Sequence, residues 1–151
     1  TYYLNALHEQ WAAEASAEVE MVGWFPNPSV TDEEIALFAE RYSVEWDLAR
    51  DTVGWSDAVG ARWTPEAVLV SPEGSVVYRG RVNDLYYALG KHRSTPRSSD
   101  LALAVEQALA GLEVNPAETD AIGCPIQNRI PFLPEGEFKT GRCIEALQIP
   151  D

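Results

Sequence analysis

The run Trp63-Thr64-Pro65-Glu66-Ala67-Val68-Leu69-Val70-Ser71-Pro72-Glu73-Gly74-Ser75-Val76-Val77-Tyr78 constrains this chain more than any other. Two apolar stretches rich in β-branched residues, Ala67–Val70 and Val76–Tyr78, flank Ser-Pro-Glu-Gly. Proline second and glycine fourth are the residues a type I turn prefers, so the run predicts a β-hairpin. Thr64-Pro65 stands directly before the first strand. An X-Pro amide keeps little of the usual trans preference, so this is where the backbone can hold a cis bond. A trans proline is equally allowed at the first position of a strand.

Composition narrows the function classes. A chain of 151 residues is one domain by length and can bury a core. The net charge of −13 argues against nucleic acid or an anionic membrane as partner, because phosphate binding needs clustered Lys and Arg. No apolar run approaches the roughly 20 residues of a membrane span. The two cysteines, Cys124 and Cys143, form no C-x-x-C, and the only histidines are His8 and His92. No metal-ligand spacing, phosphate-binding glycine loop or nucleophile elbow is present, so no metal and no cofactor is expected.

In chain order, Tyr2 to Ala17 reads as an amphipathic helix with Tyr3, Leu7 and Trp11 on one face. Val19–Phe25 reads as a buried strand. Thr31 begins a second helix through a capping box with Glu34, and Ile35, Phe38, Ala39 and Tyr42 form its apolar stripe. Val44–Leu48 is expected as a short strand or extended segment, and Thr52–Val59 as a short helix closed by Gly60. After the hairpin, Gly90–Arg97 reads as a mixed loop. Ser99 or Asp100 then caps a last helix, Leu101–Leu109, ended by Gly111. Half of the ten prolines follow Asn115. Residues 1–114 are therefore expected to form the domain, and 115–151 a proline-rich extended arm that wraps it or meets a partner.

Alternating helices and strands ending in a hairpin and a helix predict a layered α/β fold. The pieces Thr64-Pro65-Glu66-Ala67, Val77 to Asp84, Asp100-Leu101 and Ala121-Ile122-Gly123-Cys124-Pro125-Ile126 carry a more specific likeness. In order and spacing, over roughly residues 1 to 126, the chain resembles the redoxin or peroxiredoxin-like branch of the thioredoxin-like fold. Asn83 departs from the pattern, where an acidic residue is expected, and residues 127–151 match nothing in it. The resemblance implies a thioredoxin-like sandwich with a cis Thr64–Pro65 bond opening the hairpin.

It also implies a redox cysteine at the end of a central strand, where the N-terminus of the following helix lowers its pKa. This chain opens inside that helix. The expectation is that the strand, which should lie between Val19–Phe25 and the hairpin, comes from residues upstream of Thr1 or from another chain, the alternative being a degenerate family member whose sheet closes differently.

Within the resemblance, Trp63, Thr64 and Pro65 would line a substrate groove or serve only as a structural turn. Cys124 would be a resolving thiol, half of a disulfide with Cys143, or a buried small hydrophobe. Arg79, Arg81 and Asp84 would position a peroxide or a partner's carboxylate, or form a surface ion-pair network. Lys91, His92, Arg93 and Arg97 make the one basic cluster, either a docking loop for an anionic or acidic partner or a solvated loop. His8 reads as a partly exposed helix residue. Trp11 and Trp24 suit the core, whereas Trp46, Trp55 and Trp63 fall near element ends and suit an aromatic surface.

Two functions follow. The first is a thiol–disulfide or peroxide oxidoreductase using an upstream cysteine. The second is a redox-inactive thioredoxin-like module that docks within a larger assembly. The resemblance implies export to a bacterial periplasm, with the cytoplasm as the alternative.

Overall fold

The computed structural model describes residues 1–13 and 19–126. Helix α1 (Tyr2–Ala13) buries Leu7 and Trp11, four residues apart on one face. Its expected continuation to Ala17 lies outside the described residues. Strand β1 (Val22–Phe25) runs parallel to β2 (Asp47–Arg50), with Val22 opposite Asp47 and Phe25 opposite Arg50. Helix α2 (Asp32–Tyr42) connects them and starts on the expected capping box. There Thr31 Oγ1 accepts the Glu34 N–H at 3.2 Å and Glu34 Oε2 accepts the Thr31 N–H at 2.8 Å.

Strand β2 begins three residues later than Val44. Ser43 ends α2 in the left-handed conformation (φ 50°), and the Val44 N–H is already committed to the Ala39 carbonyl at 2.9 Å. Trp46 then crosses to α1, where its indole N–H donates to Asn5 Oδ1 at 3.0 Å. Asn5 in turn donates to the Tyr42 and Ser43 carbonyls, tying α1 to the end of α2. Gly23 sits where Trp46 and Leu48 press on the backbone, and any Cβ there would strike both. The outward residues of β1 are therefore Val22 and Trp24. Trp24 is 41% exposed, not a core residue, and stacks on Trp55 with ring centroids 6.1 Å apart. Phe25 instead meets Phe38 of α2, edge to face at 5.6 Å.

Helix α3 is a single turn, Trp55–Ala58, shorter than the Thr52–Val59 expected. Gly54 (φ 80°) breaks the chain before it, and Asp51 caps from outside, its carboxylate accepting the Trp55 and Ser56 N–H groups at 2.7 Å each. Burial acts to raise the Asp51 pKa. The Ser56 side-chain hydrogen bond, with backbone bonds from Ser56, Trp55 and Gly54, outweighs it and holds the carboxyl below its ordinary value.

Strand β3 (Trp63–Thr64) leads through a cis Thr64–Pro65 bond into β4 (Ala67–Val70), which pairs antiparallel with β5 (Val76–Gly80). The turn closes with the Gly74 N–H on the Ser71 carbonyl at 2.9 Å. The expected loop after Asp84 is itself a small hairpin, β6 (Tyr86–Ala88) with β7 (Lys91–His92). Helix α4 (Asp100–Leu109) follows. Ser99 holds its N-cap position but makes no side-chain cap bond there, and Asp100 is engaged by Arg81 instead of capping.

The core gathers Leu7 and Trp11 of α1, Tyr78 of β5, and Leu101, Ala104 and Val105 of α4. Ala67, Leu69 and Met21 pack against it, and Tyr78 is fully buried. Residues 115–126 return along the domain. The Arg79 N–H donates to the Ala117 carbonyl (3.0 Å) and the Thr119 N–H to the Arg79 carbonyl (3.1 Å). Strand β8 (Cys124–Pro125) then pairs antiparallel with β3. Among the described residues, β1 is hydrogen-bonded to β2 alone and β4 to β5 alone.

Candidate functional site at the Thr64–Pro65 corner

The corner is built by three segments that meet far from one another in sequence. Strand β3 supplies Trp63 and Thr64, both half-buried, with Thr64 directly opposite Cys124. The Thr64 hydroxyl donates to the Cys124 carbonyl at 3.2 Å, and the Ile126 N–H donates to the Arg62 carbonyl at 3.0 Å. Gly123 lies so close that a Cβ would collide with the Thr64 carbonyl and press on the Pro65 nitrogen. Glycine is thus required before Cys124 for the strand to reach the corner. The Cys124 thiol is half-buried there.

Behind the corner lies an acid–base cluster that the sequence reading did not single out. The Glu66 side chain has no exposed surface. Its Oε2 accepts the Arg62 N–H at 2.5 Å and the Trp63 N–H at 3.4 Å, holding the backbone just before the proline. Its Oε1 is buried without a hydrogen-bond partner, 3.9 Å from Arg62 Nη2. Arg62 also pairs with Glu118, whose other oxygen is 3.5 Å from Arg79 Nη2. The Arg62 hydrogen bond and charge are the leading reasons the Glu118 carboxyl lies below its ordinary pKa. Arg79 Nη1 donates to the Gly60 carbonyl at 3.1 Å, while its Nε is buried without a partner. The i, i+4 spacing of Arg62 and Glu66 was the one available signal for this cluster. Nothing local marks Glu118.

The expected trio Arg79, Arg81 and Asp84 does not converge on one point. Arg79 belongs to the cluster just described. Arg81 pairs with Asp100, Nε to Oδ2 at 2.9 Å, and that hydrogen bond raises its pKa. Asp84 is buried, and its Oδ1 accepts the N–H groups of Arg97 (2.5 Å) and Ser98 (3.0 Å). The Ser98 N–H is the leading cause that keeps this carboxyl below its ordinary value. These last two are structural clamps: Arg81 ties β5 to α4, and Asp84 ties β5's exit to the loop before α4. The exposed Lys91, His92 and Arg97, with half-buried Arg93, belong to the β6–β7 region. His8 is half-buried on α1, and Cys143 lies outside the described residues.

A groove of about 380 Å³ lies elsewhere, between α2 and β2, lined by Asp32, Ile35, Ala39, Trp46, Asp47 and Leu48 among others. It contains no residue of the corner. No group of three or more His, Cys, Asp or Glu among the described residues is arranged to hold a metal. No helix among them is long and apolar enough to cross a membrane.

Fold and corner together define a mixed α/β domain with small sheets and no barrel. Two solved structures share that fold. One is a hypothetical protein of Sinorhizobium meliloti 1021, with TM-score 0.66 and 23% identity, covering 83% of this chain and 69% of that one. The other is an uncharacterized conserved protein of Geobacillus kaustophilus, with TM-score 0.67 and 20% identity, covering 89% of this chain and 69% of that one. No family model and no curated protein matches the chain.

Proposed function

We propose that the chain is a thioredoxin-like module of the redoxin or peroxiredoxin-like type, a thiol–disulfide or peroxide oxidoreductase whose chemistry sits at the Thr64–Pro65 corner. The observation that carries this reading is the antiparallel register that sets Cys124 opposite Thr64, beside Pro65. A thiol sixty residues away in sequence is thereby brought to the residues that resemble the family's substrate groove. Edges of β1 and β4 that no strand among the described residues pairs support a further strand between them, from elsewhere in the protein or from another chain. That strand would deliver the attacking cysteine. In the exchange, its thiolate forms a bond to a substrate sulfur as the substrate's S–S bond breaks, and the leaving sulfur takes the electron pair and then a proton. A second thiol, with Cys124 as the candidate, attacks the mixed disulfide and releases the second substrate thiol. Two protein thiols become one disulfide while one substrate disulfide becomes two thiols. An exported, oxidising setting accords with this chemistry.

The exposed Trp24–Trp55 stack favours the second reading, a redox-inactive module that docks within an assembly. One experiment separates the two. The protein as isolated from its source is treated with an alkylating reagent over a pH series, each cysteine is followed by mass spectrometry, and turnover of a disulfide and of hydrogen peroxide is measured in parallel. The oxidoreductase reading expects a thiol that reacts well below the ordinary cysteine pKa, and turnover that falls when Cys124→Ser is introduced. Thiols with ordinary pH dependence and no turnover of either substrate would overturn it in favour of the docking module.

A further inference from the structure

We propose that the β6–β7 hairpin, residues 85–97, is a docking element for a short acidic segment of a partner protein, independent of the chemistry at the Thr64–Pro65 corner. From Leu85 to Ser99 the sequence has no Asp or Glu, yet it holds Lys91, His92, Arg93 and Arg97 in a chain whose net charge is −13. The hairpin contributes nothing to the core: no residue from 85 to 97 is buried. Tyr86, Tyr87 and Leu89 are 51%, 54% and 63% exposed. A polar loop with no packing role is ordinarily the mobile part of a domain.

This one is held from several directions. Asp84 accepts the Arg97 and Ser98 N–H groups, the Arg93 N–H donates to the Leu85 carbonyl at 2.8 Å, and Arg93 Nη1 donates to the Asp84 carbonyl at 2.5 Å. The rings are held too. The Arg93 guanidinium lies 5.1 Å from the Tyr87 ring centre, and the Tyr86 and His92 rings are 5.7 Å apart. The result is a pre-ordered hairpin that exposes tyrosine and cationic side chains. Association then costs less side-chain entropy than it would from a mobile loop. Tyrosine and arginine on such a surface are the residue types that carry most binding energy at protein interfaces.

The chemistry of the occupant follows from charge. Arg93 is committed to Asp84, whereas Lys91 and Arg97 make no ion pair among the described residues. Two exposed cations on a hairpin that also exposes two tyrosines suit a few carboxylates flanking an apolar side chain. They are too few for a nucleic acid or an anionic membrane, whose binding draws on many phosphate contacts. The acidic remainder of the chain also repels a uniformly charged polyanion, while a partner acidic only over a short stretch avoids most of that repulsion through screening.

The test is a titration of the full chain, followed by backbone amide NMR, with a blocked heptapeptide of Glu and Asp around one Phe. A peptide with Lys in place of every acid and a short single-stranded oligonucleotide are run alongside. The expected result is shifts confined to residues 85–99, and affinity that falls about tenfold or more between about 50 and about 300 mM salt. The double charge reversal Lys91→Glu, Arg97→Glu should abolish those shifts with the melting temperature unchanged, since both side chains are exposed. No shifts at the hairpin, binding indifferent to the reversal, or tighter binding of the oligonucleotide at the same residues would each overturn the proposal.

Discussion

Tyr78 is the residue whose perturbation tests the architecture most sharply. Its ring is fully buried between α1 and α4, and its hydroxyl lies 2.7 Å from the Arg81 carbonyl and 2.6 Å from Thr119 Oγ1. Thr119 Oγ1 also accepts the Arg81 N–H at 3.1 Å. The proton roles then close a ring: Arg81 N–H to Thr119, the Thr119 hydroxyl to Tyr78, and the Tyr78 hydroxyl to the Arg81 carbonyl. Tyr78→Phe keeps the ring packing but leaves the Thr119 hydroxyl without its acceptor and the Arg81 carbonyl without its donor. Orphaned groups of this kind cost about 1–3 kcal/mol. For a chain of this size that lowers the melting temperature by roughly 3–10 °C.

Thr119→Val breaks the same ring from the other side, so the two substitutions should be non-additive by about 1 kcal/mol in a double-mutant cycle. Burial also raises the Tyr78 pKa, which means the folded chain holds this proton more tightly than the unfolded chain. That contribution is whole below the ordinary tyrosine pKa of about 10. It is lost as pH climbs through the raised folded value, and Tyr78→Phe should remove this part of the alkaline slope. Urea unfolding at neutral and alkaline pH measures all three effects. A loss below about 0.5 kcal/mol for Tyr78→Phe, or simple additivity with Thr119→Val, would refute the closed ring and the anchoring of residues 117–119.

Three further outcomes are expected. Gly123→Ala places a methyl group on the Thr64 carbonyl, so β8 must move away; overpacking of this kind costs about 1–3 kcal/mol, and Cys124 alkylation should accelerate. Thr31→Ala removes the capping box of α2 and should cost about 1 kcal/mol in thermal unfolding. Asp84 has a depressed pKa when folded, so its stabilisation is present above the carboxylate range and lost as pH falls below about 4. Asp84→Asn should flatten that acid limb in urea midpoints measured across it, and a limb of unchanged steepness would show that other carboxylates set it.

Much of the framework was legible because its signals are local. Apolar stretches around Ser-Pro-Glu-Gly mark β4 and β5, and the Thr31–Glu34 pair marks the start of α2. The strand expected from Val44 begins at Asp47 because a left-handed Ser43 and the Val44–Ala39 bond extend the helix end, and neither is encoded by an obvious residue such as glycine. Trp24 read as core because its size favours burial. Its outward side follows instead from Gly23, over which Trp46 and Leu48 close. The β6–β7 hairpin was missed because its order comes from Asp84 and Arg93 rather than from alternating apolar residues. The Arg62–Glu66–Arg79–Glu118 cluster draws on segments more than fifty residues apart, a separation that no sequence window spans.

The return of residues 115–126 across the domain also governs when the Cys124 thiol can be reached. Strand β8 is two residues long, and a glycine just before it contributes no side-chain packing. Strands this short open without global unfolding, at a free energy set by a few hydrogen bonds rather than by the core. Reagents that attack Cys124 therefore sample a breathing motion of the β3–β8 pair, while amides of β5 and α4 remain protected. Hydrogen exchange at Ile126 and the alkylation rate of Cys124 should then share one opening constant, so the clasp that holds the thiol at the corner also meters its exposure.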